Sequence, residues 1–157
     1  MVGGSRTGRA EIQSGHGAED SRYRFQWTAP IMVSAHDPKT IYHGGNVLFR
    51  TTDAGQAWAA VGPALTRDDK STQKWSGGPI TGDNTGVEIY DTIFALAESP
   101  LEPGLIWAGT DDGLVHVTRD NGSTWTAVAP PGFPEWATVR CIEASRWDAG
   151  TAYVVVD

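Results

Sequence analysis

One octapeptide occurs twice in this chain, and its setting constrains the fold more than any other feature. Thr51-Thr52-Asp53-Ala54-Gly55-Gln56-Ala57-Trp58 returns as Thr118-Arg119-Asp120-Asn121-Gly122-Ser123-Thr124-Trp125. Matching apolar runs lead into both copies. Ile31 to Pro38 pairs with Ile93 to Pro100, Ile41-Tyr42-His43-Gly44 with Leu105 to Gly109, and Val47 to Thr51 with Leu114 to Thr118. A further copy starts with Val139 to Ser145 and continues through Gly150 to Val156. The runs are short, rich in β-branched and aromatic residues, and separated by Gly, Pro and Asp, so each unit reads as four strands. No stretch sustains the 3.6-residue apolar period of a helix. The expected fold is therefore all-β: a partial β-propeller of about three four-stranded blades, since radial repetition of such units makes propellers. Solenoids and sandwiches fit the repeated octapeptide less well. Blades are expected at about 28–64, 87–130 and, incomplete, 138–157, inside a unit covering 23–157, with an insertion loop at 65–86.

Composition narrows the partners. The 157 residues carry 12 Lys+Arg against 19 Asp+Glu, a net charge of −7, which argues against nucleic acid or an anionic membrane surface. No apolar run approaches the roughly 18 residues of a membrane span. The single cysteine, Cys141, excludes an intramolecular disulfide and any cysteine metal cluster; in its apolar run it reads as a small buried hydrophobe. His43 and His116 have no partner at a metal-binding spacing, so neither metal nor cofactor is expected. Residues 1–22 have Arg6 and Arg9 but no apolar segment after them, hence no export signal. Their Gly, Ser and charge content makes a flexible N-terminal tail the expectation.

The octapeptide has a structural job. In a tight loop Asp53 and Asp120 accept neighbouring N–H groups, Gly55 and Gly122 supply positive φ, and Trp58 and Trp125 bury their faces between sheets. The two copies match the Asp-box pattern, Ser/Thr-x-Asp-x-Gly-x-Thr-Trp, of bacterial-neuraminidase-type repeats, with Ala57 at the Thr position of the first. Longer segments, Arg22 to Pro30, Gly77 to Thr81, Glu98 to Gly104 and Trp107 to Val115, resemble a bacterial branch of the sortilin N-terminal-domain, Asp-box propeller superfamily, often labelled glycosyl-hydrolase-like. The resemblance covers about residues 22–157. It implies an exported protein, periplasmic or extracellular. A closed propeller has about 4–8 blades, so a stretch of this length is expected to be part of a longer ring or one of several copies completing one.

Candidate chemistry centres on the insertion. Asp83, Glu88 and Asp91 are the carboxylates to test for a glycosidase, which holds two carboxyl groups about 5–10 Å apart across the scissile bond. The plainer reading is a solvated loop of turn-forming Asp and Asn. Asp111-Asp112-Gly113 between apolar runs signals a hairpin turn. Arg22 and Arg24, ahead of Trp27 on an expected first strand, form an Arg–aromatic rim or a simple salt bridge. Trp27, Trp75, Trp136 and Arg24 are the candidate ligand contacts. Sialidases resembling this repeat use an arginine triad, a tyrosine–glutamate pair and an acid aspartate, and no such set stands in a matching context here. The leading expectation is a non-catalytic module binding a peptide, protein or glycan. The alternatives are a glycoside hydrolase piece, sialidase-like or xyloglucanase-like, and an assembly scaffold.

Overall fold

A computed structural model describes residues 21–157 except 75, 78, 79, 81 and 84–88, and at 76, 77, 82 and 83 the backbone alone. The expected tail thus lies outside the described residues but for its last two positions. Among the described residues there is no helix. β1 (Ile31–Val33), β2 (Ile41–Gly44), β3 (Leu48–Thr51) and β4 (Ala59–Val61) form one antiparallel sheet in chain order. β7 (Ile93–Glu98), β8 (Ile106–Thr110), β9 (Val115–Thr118) and β10 (Thr126–Ala127) form a second, and β11 (Val139–Ala144) with β12 (Ala152–Val156) a third of two strands. Between the first two lies a small hairpin, β5 (Ser76–Gly77) with β6 (Gly82–Asp83). Meandering sheets follow one another along the chain, β7 against β1 and β2, β11 against β7 and β8. The fold is an all-β, partial propeller-like array.

Two apolar seams join the sheets. Tyr42, Leu48, Leu65, Ile93, Ile106 and Ala108 fill the first; Ala95, Trp107, Val115, Val139, Ile142 and Ala144 fill the second. At each seam a glycine ends or nearly ends the second strand of a unit. A Cβ on Gly44 would stand 3.0 Å from Ile93 Cβ, and one on Gly109 2.7 Å from Val139 Cβ while overlapping Val139 Cγ1. Ile93 and Val139 each open the next unit's inner strand, so both glycines do the same thing: they let neighbouring sheets close up.

The turn between the first two strands fixes how the units correspond. Ser34 N–H donates to Thr40 O, Thr40 N–H to Asp37 O, and the Ser34 hydroxyl accepts from His36 N–H. The same three bonds join Ser99, Leu105, Glu102 and Leu101, and again Ser145, Thr151, Asp148 and Trp147. Ser34, Ser99 and Ser145 are therefore equivalent, and Ile31 corresponds to Leu96. This corrects the pairing of Ile31 with Ile93, which leaned on the first proline: hydrogen bonding from the serine, not Pro100, sets the turn, and Pro38 corresponds to Pro103.

Both octapeptide turns have one geometry. The Thr51 hydroxyl donates to Asp53 Oδ1 (2.7 Å) and accepts from Gly55 N–H (3.0 Å), while Asp53 Oδ1 accepts Gln56 N–H and Ala57 N–H. Thr118, Asp120 and Gly122 repeat this, and Thr124 adds a hydroxyl bond of 2.7 Å to Asp120 Oδ2 that Ala57 cannot make. Bonds from Thr124 and Thr118 hold the Asp120 carboxyl down at about 2. Positive φ extends beyond the glycines to Ala54 (59°) and Asn121 (58°).

Two expected burials differ. Trp125 leans on the first seam and donates its indole N–H to Gly122 O, but Trp58 is 39% exposed, edge-on to His43. A tryptophan at this position packs back onto the preceding sheet, and the described residues hold none before β1. Cys141 is exposed, not buried, because the register of β11 shifts between Val139 and Cys141. That irregularity turns Val139, Ile142 and Ala144 inward and Cys141 out.

Candidate functional site

In an antiparallel meander the first and third turns lie at one end and the second turn and the incoming connection at the other. The octapeptides thus share an end with the serine turns, to which Ala54 N–H and Asn121 N–H bond through Lys39 O and Gly104 O. The opposite end carries the β2–β3 and β8–β9 hairpins and the segments entering β1, β7 and β11. Trp27, Arg24, Asp91 and Trp136 all belong to this end. Trp75, Glu88 and the side chain of Asp83 lie outside the described residues.

Asp91 is fully buried with φ +63°. Its Oδ2 accepts from Gln73 Nε2 (2.6 Å) and the Thr72 hydroxyl (3.1 Å), and its Oδ1 has no hydrogen-bonding partner of the ordinary donor kind. The carboxyl of Asp112 lies near that of Asp91, whose charge opposes the ionisation of Asp112. Asp112 is also fully buried, accepting from the Thr110 hydroxyl and, at 2.6 Å, from Arg67 N–H. Burial pushes its carboxyl up to about 6, and the nearby Asp91 adds to the rise. Asp111 beside it is pushed to about 6 by burial despite bonds of 2.8 and 2.7 Å from the Thr92 N–H and hydroxyl.

The nearby cations are committed elsewhere. Arg24 is 2% exposed and pairs with Asp68 at 2.8 Å, while its Nε–H donates to the Asp91 carbonyl. Arg67 donates its Nε–H to the Asp112 carbonyl at 2.9 Å. Neither guanidinium bonds to the Asp91 or Asp112 carboxyl oxygens. Arg24 therefore stands inside the fold with a salt-bridge partner rather than on a rim. Residues 22–27 contribute one bridge position, Gln26, in place of a first strand. Trp27 is 67% exposed, and its N–H caps onto the Gln26 side chain, which reaches Ile89 O.

Above the buried acids lies an exposed shelf. Trp136 has φ +61°, a strained conformation for so bulky a residue, and is 38% exposed. The Arg67 guanidinium lies 4.8 Å over its ring. The Tyr90 ring stacks at 6.2 Å and 16°, with its hydroxyl donating to Trp136 O at 3.3 Å. Gly113 (φ +83°) permits this approach, because a Cβ there would meet Trp136 N at 2.7 Å. Trp136 is thus held from three sides and is still 38% exposed.

Arg67, Tyr90 and Asp112 were not singled out as site residues by sequence reasoning. A signal existed for Asp112. Thr110-x-Asp112 repeats the Thr-x-Asp of the octapeptides, and the Thr110 hydroxyl accepts Leu114 N–H at 2.9 Å as Thr51 and Thr118 accept their glycines. The Asp111-Asp112-Gly113 hairpin forms as read, but it is buried. Among the described residues no group of three or more His, Cys, Asp or Glu is arranged to hold a metal, and no helix is long and apolar enough to cross a membrane.

No protein-family model matches the chain, and no curated protein matches it. Among solved structures it is similar to the crystal structure of a GH74 xyloglucanase from Xanthomonas campestris, at 16% identity and a TM-score of 0.38. The match covers 88% of this chain and 29% of that one, so this chain spans under a third of that structure's length.

Proposed function

We propose that this chain is part of an Asp-box propeller similar to the sortilin N-terminal-domain superfamily and serves as a non-catalytic binding module for a peptide or glycan. The observation carrying this reading is the shelf: an exposed indole in strained backbone, clamped by Arg67, Tyr90 and the glycine-permitted approach of the 111–113 hairpin. Strain persists where the surroundings over-determine it, and binding sites are where it concentrates. The blades are those of residues 28–64, 87–130 and 138–157, and Trp27 marks a second contact at the same end. The test is a glycan and peptide array probed with the chain and with Trp136→Ala. Loss of captured ligand with an unchanged thermal melt is expected; full retention of binding would refute the shelf.

A glycoside hydrolase reading draws on the carboxyl pair of Asp91 and Asp112. It is the weaker one, because both groups are fully buried, at 0% exposure, leaving no face for a glycosidic oxygen. Assembly draws on Ile31 and Val33 in β1 and Tyr153 and Val155 in β12, exposed apolar side chains on the outermost sheets. Contiguous apolar faces of this kind mark interaction surfaces, and further blades, from a longer chain or from other copies, would cover them.

A further inference from the structure

Resting on that shelf reading, we infer that the shelf takes a sugar carrying a single carboxylate, a uronic-acid residue of an acidic glycan, with the pyranose face on Trp136 and the carboxylate on Arg67. The argument begins with how Arg67 is held. Its backbone N–H and Nε–H are both fixed to Asp112, through Oδ2 at 2.6 Å and the carbonyl at 2.9 Å, so the guanidinium cannot swing away. No hydrogen bond to either Nη is found among the described residues, and the residue is exposed. A guanidinium anchored by Nε presents its remaining N–H donors as a fork, and a carboxylate is the anion that fits such a fork bidentately. It lies 4.8 Å over the indole, and a cation packed on a ring is partly desolvated, which strengthens its bond to an anion.

The shelf also selects against other anions. Asp68 is 46% exposed next to Arg24, and Asp111, Asp112 and Asp91 lie beneath. With a net charge of −7 over the chain, a densely charged polyanion is repelled, while one carboxylate per ring is tolerated. Trp136, with Tyr90 stacked on it at 16°, offers exposed aromatic surface of the kind that packs on the apolar face of a pyranose.

The test uses trigalacturonate, its trimethyl ester and triglutamate as probes, titrated calorimetrically into the chain and into Arg67→Gln, Arg67→Lys and Trp136→Ala. Thermal melts establish that each variant folds. Trigalacturonate is expected to bind at least about tenfold more tightly than its ester, a difference of about 1.4 kcal/mol. Arg67→Gln abolishes that preference, Arg67→Lys keeps only part of it, and Trp136→Ala weakens both sugars. Equal binding of acid and ester, lost in Trp136→Ala but not in Arg67→Gln, would overturn the carboxylate assignment and leave the shelf standing. Sugar binding unchanged in Trp136→Ala, or no binding of any probe, would overturn the shelf itself. Arg67-dependent binding of triglutamate without the sugars would replace the glycan by an acidic peptide.

Discussion

Gly109→Ala isolates the packing that joins one sheet to the next. In the interior of a strand, alanine ordinarily stabilises over glycine by roughly 0.5–1 kcal/mol, because glycine has more chain entropy to lose. At Gly109 the sign should reverse. The new Cβ would overlap Val139 Cγ1 and stand 2.7 Å from Val139 Cβ and 3.1 Å from Ile142 Cδ1, where carbon atoms rest at about 3.5–4.0 Å. Val139 is fully buried, and its strand is paired to β12, so relief requires the seam to widen. Overpacking of this kind costs about 1–3 kcal/mol, and at roughly 2–4 °C per kcal/mol the melting temperature should fall by several degrees. Gly150→Ala is the control, its nearest contact being an ordinary 3.5 Å to Asp148 Oδ1. Combining Gly109→Ala with Val139→Ala removes the overlapping methyl, so the double variant should lose at least about 1 kcal/mol less than the sum of the singles. Additivity within about 0.5 kcal/mol, or a Gly109→Ala variant no less stable than Gly150→Ala, would refute the seam argument.

Two more outcomes can be read on the same chain. Asp111 and Asp112 are held near 6 by burial, so the folded state binds more protons than the unfolded one between their ordinary 3.8 and about 6. Their contribution is present below about pH 4 and is lost as pH rises to about 6; Asp112→Asn should flatten the pH dependence of thermal melts recorded from pH 4.5 to 7.5, and an unchanged slope would mean that burial does not hold the Asp112 carboxyl up. Asp120 acts in the opposite sense, its contribution present above 3.8 and lost as pH falls toward about 2. Ala57→Thr should give Asp53 the hydroxyl bond that Thr124 gives Asp120, and its carboxyl, followed by NMR titration, should move down toward the Asp120 value; no movement would mean that the two turns differ in more than that residue.

What the sequence disclosed was local. The octapeptide turns were legible because Thr, Asp and Gly at fixed offsets satisfy one another within five residues, needing nothing from the rest of the chain. The hairpin at 111–113 was legible for the same reason. The serine turns escaped notice because their determinant, a hydroxyl and a carboxyl three apart, was overshadowed by the prolines nearby. Aligning on Pro38 and Pro100 shifted the inner strands by three residues, an odd number, which in a strand exchanges the two faces.

Everything across a seam lay beyond reach, for a physical reason. Gly44 and Gly109 could be seen to end equivalent apolar runs, yet what makes them glycine is a side chain about 30 to 50 positions later, Ile93 or Val139. Arg24 could be read as a rim cation or as half of a salt bridge but not placed, because its partner, Asp68, is 44 positions away and its other tether is the Asp91 carbonyl. Asp91 looked like a free acid because nothing local announces that Gln73, Thr72 and Asp112 converge on it. The shelf is the sharpest case. Arg67, Tyr90 and Trp136 come from three connections that meet only once the second sheet has closed on the first and the 128–138 segment has crossed the 111–113 hairpin. The repeat supplies the sheets, and sites form where the irregular connections between sheets meet. In this chain those connections carry the buried Asp91, the positive-φ residues Asp68, Asp91 and Trp136 and the exposed indole together, which is why a repeat-based reading finds the scaffold first and the binding surface last.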